Sequence, residues 1–299
     1  MSVPETSAPY APQPQGAPEV TTRRGLLDRL TARLTGLYDA REARSIALIA
    51  LAELAGLPLS ALLTDPGAPM AADGFEAMAA QLAAGRPVQY VVGHTEFYGH
   101  RFAVREGVLI PRPDTELLCE IAAAWLNKQP AGEKQVLDLC AGTGCVGLGI
   151  AGLCLDAVVT AVELSPEALT YLEGNCRRYP ARRVTPVRAD VLADADKFPG
   201  GFAALVSNPP YIPFADLSGL MREVQHEPRM ALDGGDGLRF YRAIVQDWLP
   251  KLRAGGFCAV EVGIGQAEGV AALFAQNGLR AVEIHPDAAG IGRVVSGEK

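Results

Sequence analysis

The segment Ser207-Asn208-Pro209-Pro210-Tyr211-Ile212 gathers hydrogen-bond acceptors on a stiff stretch of chain. Each proline fixes φ and removes an N–H donor, which leaves carbonyl oxygens free to accept. The Asn208 side chain adds an acceptor oxygen, and Tyr211 supplies an aromatic face. Acceptors beside a flat face suit a planar NH2 group, which donates two hydrogen bonds and stacks. Asn208, Pro209, Pro210 and Tyr211 are therefore the candidates for holding a substrate amino group, with Asn208 and Pro209 at the reacting nitrogen. A rigid turn after a strand would also use proline, but it has no need of Asn-Pro-Pro-aromatic at that place.

A second motif runs Leu137-Asp138-Leu139-Cys140-Ala141-Gly142-Thr143-Gly144-Cys145-Val146-Gly147, a strand passing into a glycine-bearing turn and then a helix. Glycine lets the backbone approach a ligand closely because no Cβ intervenes. Glu163 ends the next strand about twenty residues on, where a carboxylate can accept from both hydroxyls of a ribose. The run Gly142-x-Gly144-x-x-Gly147 matches the spelling of a dinucleotide loop, in which a pyrophosphate sits over the helix start. Asp138 argues against that ligand: a carboxylate at the end of the first strand repels a pyrophosphate and suits the ammonium of a methionine moiety. S-adenosyl-L-methionine fits better than NAD.

These motifs need a scaffold, and the hydropathy pattern supplies one. Beyond Pro113, apolar strand-like runs at 135–139, 157–164, 183–189, 203–208, 257–263, 279–285 and 292–297 alternate with helical stretches. That alternation predicts an α/β fold, a mostly parallel seven-stranded sheet covered by helices on both faces, with ligands at the carboxyl ends of the strands. Upstream, Leu26, Leu27, Leu30 and Leu34 recur at helical spacing, and the alanine- and leucine-rich run from Ala40 to Ala55 stops at Gly56-Leu57-Pro58. Residues 22–85 read as a small helical bundle. Between 86 and 112 the period changes, and VQYVVG and RFAVREGVLI read as the strands of a hairpin linker to the domain at 113–299. Residues 1–21, rich in Pro, Ala and Gln, read as a disordered tail and lack the basic start and apolar stretch of a signal peptide.

Composition narrows the function classes. In 299 residues, 27 Lys and Arg against 34 Asp and Glu give a net charge of −7, which offers no support for gripping a nucleic-acid backbone. Six cysteines without a Cys-x-x-Cys pair suit reduced thiols in a cytoplasmic protein, not a disulfide framework or a zinc site. His94, His100, His226 and His285 are too dispersed for a metal centre. The long uncharged run from Leu139 to Leu155 is studded with glycine and divides into strand, turn and helix, so no membrane span is expected.

Gly85-Arg86-Pro87-Val88-Gln89-Tyr90-Val91-Val92-Gly93 and Leu109-Ile110-Pro111-Arg112-Pro113-Asp114-Thr115-Glu116 resemble the linker of the HemK/PrmC family. Glu227-Pro228, Gly234-Gly235-x-Gly237-Leu238, Glu261-Val262-Gly263 with Gln266, and Asp287 to Arg293 are similar to later segments of the same family. Its members are glutamine methyltransferases of peptide chain release factors with a class I S-adenosylmethionine-dependent methyltransferase fold. The resemblance implies that Cys140, Ala141, Gly142, Thr143 and Gly144 line the methionine end of the cofactor and Glu163 binds its ribose. It also implies that Asn208 to Tyr211 hold the glutamine amide beside the cofactor, with release factors as partners gripped in part by the bundle. Cys140, Ala141 and Glu163 stand where the family often has Gly, Thr and Asp, and Val191 stands where some relatives place an aromatic against adenine. Arg112 and Thr115 either touch the methionine carboxylate or cap the next helix. Alternatives are a glutamine methyltransferase of a ribosomal protein, an N6-adenine DNA methyltransferase, which would want a basic cleft, and a non-catalytic binding module with a decayed site.

Overall fold

The computed structural model describes residues 20–299, so residues 1–19 of the expected Pro-rich tail lie outside the described residues. The chain divides into two compact units, one ending at Ala84 and the other running from Gly85 to Lys299.

In the first unit, β1 (Val20–Thr22) leads directly into α1 (Arg23–Leu34), followed by α2 (Ala40–Ala55), α3 (Leu59–Thr64), β2 (Pro69–Ala71) and α4 (Phe75–Ala83). The starts of α1 and α2 are fixed by side-chain caps. The Thr22 hydroxyl accepts from the Gly25 amide, and the Asp39 carboxylate accepts from the amides of Arg41 and Glu42. Gly56 ends α2 in the left-handed region at φ 62°, as the Gly-Leu-Pro break leads one to expect. The leucine stripe of α1 is buried, and α2 packs on α1 with Ala43, Ala47 and Ala50 fully buried. The antiparallel pairing of β1 with β2 was not expected, because three-residue strands leave too short a pattern to read. Val20 and Thr21, assigned to the tail by composition, belong to it.

In the second unit, Val88–Val92 is a helix, α5, which corrects the strand expected there. Pro87 at its start and Gly93 at its end (φ 84°) favour one helical turn, and a five-residue apolar run carries no decisive period. Its Tyr90 is fully buried, with the hydroxyl donating to the Val108 carbonyl at 2.6 Å. The hairpin lies one step further along, between β3 (His94–Phe97) and β4 (His100–Ala103), paired from His94↔Ala103 to Phe97↔His100. Its two-residue turn places Tyr98 and Gly99 at φ 50° and 64°, the left-handed pair that twists a hairpin correctly. Tyr98 is held there by Glu116, whose carboxylate accepts from the Tyr98 amide at 2.7 Å.

The remaining elements are α6 (Glu116–Asn127), β5 (Lys134–Leu139), α7 (Cys145–Leu153), β6 (Ala157–Glu163), α8 (Pro166–Arg178), β7 (Val184–Arg188), β8 (Phe202–Ser207), α9 (Arg229–Leu232), α10 (Arg239–Ala243), β9 (Leu252–Glu261), α11 (Ala267–Gln276), β10 (Arg280–Pro286) and β11 (Gly292–Glu298). Seven strands form one sheet in the order β10-β11-β9-β8-β5-β6-β7. The five from β9 to β7 are parallel, while β11 runs antiparallel to both β9 and β10. Both faces are covered: Val136, Ala204 and Ala259 point to a core shared with α6 and α7, and Leu137, Leu205 and Cys258 to one shared with Tyr241, Trp248 and Phe274. That two-sided burial makes β8 apolar at every residue until Ser207.

The order also places the site. From β5 the chain winds outward through β6 to β7, then returns to lay β8 on the other side of β5. At such a reversal the loops leave in opposite directions and open a crevice at the carboxyl ends. Leu139 and Ser207 are register partners there, and the Ser207 hydroxyl donates to the Leu139 carbonyl at 2.7 Å. Two motifs far apart in sequence thus start side by side.

Candidate active site

The first wall of the crevice is the turn after β5. Cys140, Gly142 and Gly144 all have positive φ, at 59°, 53° and 80°. The turn is pinned at both ends, Ala141 N–H donating to Val162 at 2.9 Å and Gly144 N–H to Ala141 at 2.7 Å. A Cβ on Gly142 would meet no atom within 4 Å, so the backbone is bare toward open space where it lines the cavity. Gly147, the last glycine of the dinucleotide-like spelling, has a different reason: its Cβ would come within 3.0 Å of Asp138 Oδ2.

Asp138 lies beneath this turn. It is 1% exposed and does not line the cavity, and its Oδ2 accepts from the Gly147 amide at 2.9 Å. Burial raises its pKa to about 7, with the Gly147 amide pulling back and Glu163 pushing further up. The carboxylate anchors the start of α7 from below through Oδ2, while its Oδ1 is buried without a hydrogen-bond partner.

Glu163, at the end of β6, does line the cavity. Its Oε2 accepts from Gly142 N–H and its Oε1 from Ser165 N–H, both at 2.8 Å. Each oxygen keeps a second lone pair. Burial raises the pKa, and these backbone donors hold it down. Val191 lines the next stretch of wall, and its carbonyl accepts from the indole of the fully buried Trp248 at 2.8 Å.

The second wall is the loop after β8. Asn208 Nδ2 donates to Thr115 Oγ1 at 3.3 Å, whereas Asn208 Oδ1 is buried without a hydrogen-bond partner. Thr115, 1% exposed, also lines the cavity, and no side-chain bond of its own caps α6. Pro210 lines the cavity too, but Pro209 and Tyr211 do not. The Tyr211 ring packs against the core of β9 and α10, its hydroxyl 3.5 Å from Glu261 Oε1. The expectation that Tyr211 offers its face to a substrate is corrected accordingly: the ring belongs to the loop's footing.

That footing has a centre that the sequence marks only as part of a family-like segment, without a role. Gln266, at the start of α11, donates from Nε2 to the Tyr211 carbonyl at 2.9 Å and to the Gly237 carbonyl at 3.2 Å, while its Oε1 accepts from Gly263 N–H at 2.9 Å. From the other side, Ile212 N–H donates to Leu232 at 3.0 Å and Gly234 N–H to Ile212 at 2.8 Å. A Cβ on Gly234 would sit 2.8 Å from the Pro210 carbonyl oxygen, so only glycine permits this approach. Arg112, which also lines the cavity, is paired with the buried carboxylate of Glu227, and Glu227 accepts from the Ile110 amide at 3.1 Å as well.

Together these walls enclose about 670 Å³, within the roughly 300–1,000 Å³ of small-molecule sites. Of the residues singled out in the sequence, Cys140, Ala141, Gly142, Thr143, Glu163, Val191, Asn208 and Pro210 face one cavity, while Gly144 shapes the turn from outside it.

Comparison with known proteins identifies relatives of the chain. Residues 25–93 match the model of the PrmC N-terminal domain, and residues 115–233 that of the methyltransferase small domain. A release factor glutamine methyltransferase from Geobacter sulfurreducens is 43% identical over 222 residues, covering 74% of this chain and 76% of the relative. One of the same description from Bordetella pertussis is 41% identical, covering 78% of this chain and 86% of the relative. The chain belongs to the family of release factor glutamine methyltransferases. Among solved structures, the hMettl16 catalytic domain in complex with a 3'UTR hairpin shares the fold at a TM-score of 0.52 and 14% identity, covering 77% of this chain and 84% of that one.

As in other methyltransferases of this fold, the methyl donor is S-adenosylmethionine. The groups at the turn after β5 fit such a ligand: a bare Gly142 backbone, a carboxylate with spare lone pairs at Glu163, and an unpartnered buried hydroxyl at Thr143. Among the described residues no helix is long and apolar enough to cross a membrane, and no cluster of three His, Cys, Asp or Glu could hold a metal ion.

Proposed function

We propose that this enzyme transfers the methyl group of S-adenosyl-L-methionine to the side-chain amide nitrogen of the glutamine in the Gly-Gly-Gln motif of peptide chain release factors. The observation that carries the reading is the Asn208 carboxamide, with its NH2 tied to Thr115 and its oxygen buried without a donor. A buried acceptor left open costs free energy unless a ligand completes it. An amide NH2 is the donor that fits.

The cofactor would lie with its methionine end over Cys140 to Gly144, its ribose at Glu163, its adenine along Val191 and its sulfonium end beside Asn208. When bound, it supplies an electrophilic methyl group on a sulfonium that is already a good leaving group. The chain's own task is to present the nucleophile. An amide nitrogen is weak because its lone pair is delocalised into the carbonyl. Asn208 Oδ1 accepts one of its hydrogens, which aims the nitrogen and stabilises the positive charge that grows on it, whereas Pro209, expected as the second acceptor, lies outside the cavity wall. Holding such a geometry can contribute on the order of 7–11 kcal/mol. Once charged, the amide is acidic enough to lose its proton to water, so no side chain is required as a base. Pro210 limits the freedom of the loop, and Tyr211 fastens it to β9.

The helical bundle read from the sequence, residues 22–85, is assigned to release-factor binding and residues 86–112 to the linker. The enzyme works in the cytoplasm, where its six thiols stay free. With its acidic balance it recognises the protein substrate without gripping nucleic acid.

The test is incubation with labelled S-adenosylmethionine and purified release factors, a ribosomal protein fraction and DNA, followed by peptide mass mapping. Label on the Gly-Gly-Gln glutamine is the expected result. Label confined to a ribosomal protein or to DNA would replace the substrate, and no transfer to any of them would remove the activity.

A further inference from the structure

Asn175 lies inside a helix and is fully buried, a place that a short polar side chain suits poorly. The buried face of α8 carries Ala168, Leu172 and Asn175, so its amide is the polar group on that face. Every partner of the amide is backbone. Its Oδ1 accepts from the Ala103 N–H at 2.9 Å, and its Nδ2 donates to the Ala103 carbonyl at 3.4 Å and the Thr143 carbonyl at 3.0 Å. One carboxamide thus joins the last residue of β4, in the hairpin linker, to the turn after β5. The same helix touches both neighbours elsewhere. A Cβ on Gly144 would collide with Leu172, and Tyr179, just past the end of α8, donates its hydroxyl to the Arg101 carbonyl at 2.7 Å.

The two ends of a carboxamide have nearly the same shape, so its partners alone decide which way it faces. Here Ala103 decides. A backbone N–H can only donate, so it must meet Oδ1, and the NH2 is left to face Thr143. The Thr143–Gly144 peptide is then fixed at both ends, its carbonyl by Asn175 and its N–H by the Ala141 carbonyl at 2.7 Å. That limits where the Thr143 side chain can point. Thr143 lines the cavity, and its hydroxyl is buried without a hydrogen-bond partner. Such a group costs free energy unless a ligand completes it.

We propose that Asn175 is a positioning residue for S-adenosylmethionine: anchored on the hairpin linker at Ala103, it holds the Thr143–Gly144 peptide so that the Thr143 hydroxyl is presented to the cofactor. This rests on the assignment of the turn after β5 to the cofactor. Asn175 itself does not line the cavity, and neither does any residue of β3 or β4. The hairpin therefore acts on the cofactor at one remove, through a helix that packs on both.

The experiment compares Asn175→Ala, Thr143→Val, the double variant and Tyr179→Phe in the full chain. Calorimetry with S-adenosylmethionine reads the dissociation constant and the bound fraction separately, and turnover is followed on a release factor. N175A is expected to weaken cofactor binding about tenfold, as loss of a hydrogen bond to a buried group does, with turnover at saturating cofactor within about twofold of wild type. A merely structural role would lower the bound fraction and leave the dissociation constant of the folded molecules unchanged. T143V should weaken binding at least as much, and the double variant should match T143V, because both changes withdraw the same hydroxyl. Tyr179→Phe cuts a different bond between the hairpin and α8 and should leave affinity unchanged. Wild-type affinity in folded N175A or in T143V, or effects of the two that add, would overturn the proposal. Should N175A not fold, Asn175→Leu, which refills the volume, is read in the same way. If Glu163→Ala also leaves affinity unchanged, the assignment of the turn fails; if that variant binds weakly while N175A binds normally, only the role of Asn175 fails.

Discussion

The two walls of the cavity are built on opposite plans. The wall after β5 is made of backbone: three residues at positive φ, with the amides of Gly142 and Gly147 taken up by Glu163 and Asp138. The wall after β8 is made of side chains: Asn208 leans on Thr115, Tyr211 on Glu261, and the loop's carbonyls on Gln266. Backbone can be kept while side chains change, provided the turn survives. That explains how Cys140, Ala141, Glu163 and Val191 can replace the residues common in the family and still line the cavity. No such freedom exists opposite, where each side chain has named partners.

The contrast is most sharply tested at Asn208. Asn208→Ala should lower turnover about 100- to 1,000-fold, the usual loss of one charge-stabilising hydrogen bond, while calorimetric affinity for S-adenosylmethionine holds. Equal losses in both would make Asn208 part of the cofactor wall. Glu163→Ala should do the reverse. It removes the acceptor of Gly142 N–H and of the ribose, and should weaken cofactor binding by roughly ten- to a hundredfold, about 1.5–3 kcal/mol; saturating cofactor should restore most of the turnover.

A smaller effect concerns pH. Burial places the pKa of both Asp138 and Glu261 at about 7, well above the unfolded values. Between about pH 4 and 7 the folded protein binds more protons than the unfolded chain, so these two groups contribute stability that is present in acid and lost as pH rises through 7. Carboxylates held low, such as Glu106 and Asp287, act in the opposite sense but only below their ordinary range. Thermal unfolding should therefore occur at a lower temperature at pH 8 than at pH 6, and Asp138→Asn should flatten the slope. A Tm that climbs from pH 6 to 8 would contradict the burial argument. The smallest effect is expected at Cys140, a non-glycine residue at φ 59°. Cys140→Gly should raise stability by up to about 1 kcal/mol through relief of the left-handed backbone, and leave turnover near wild type.

Much of this was legible in the sequence because strands buried on both faces advertise themselves. All seven strands of the sheet lie within a few residues of their apolar runs, β9 starting earliest, at Leu252. The motifs were legible for the same reason: they sit directly at strand ends, where few conformations are available. What stayed hidden were roles that no local pattern shows, even for residues inside a family-like segment. The Val88–Val92 helix is too short for its period to speak, and Asp138 is aimed by Gly147, nine residues on. Gln266 and Glu261 act on a loop more than fifty and about fifty residues away, through contacts that exist only once β9 lies beside β8. Sequence placed the acceptor loop; the braces that aim it needed the fold.

The most direct test of that aim is a crystal structure with S-adenosylhomocysteine and a Gly-Gly-Gln peptide bound. The glutamine side-chain nitrogen is expected at hydrogen-bond distance from Asn208 Oδ1, roughly 2.7–3.2 Å, with Asn208 Nδ2 still on Thr115. A glutamine bound elsewhere in the cavity, or an Asn208 amide turned so that its nitrogen faces the peptide, would contradict it.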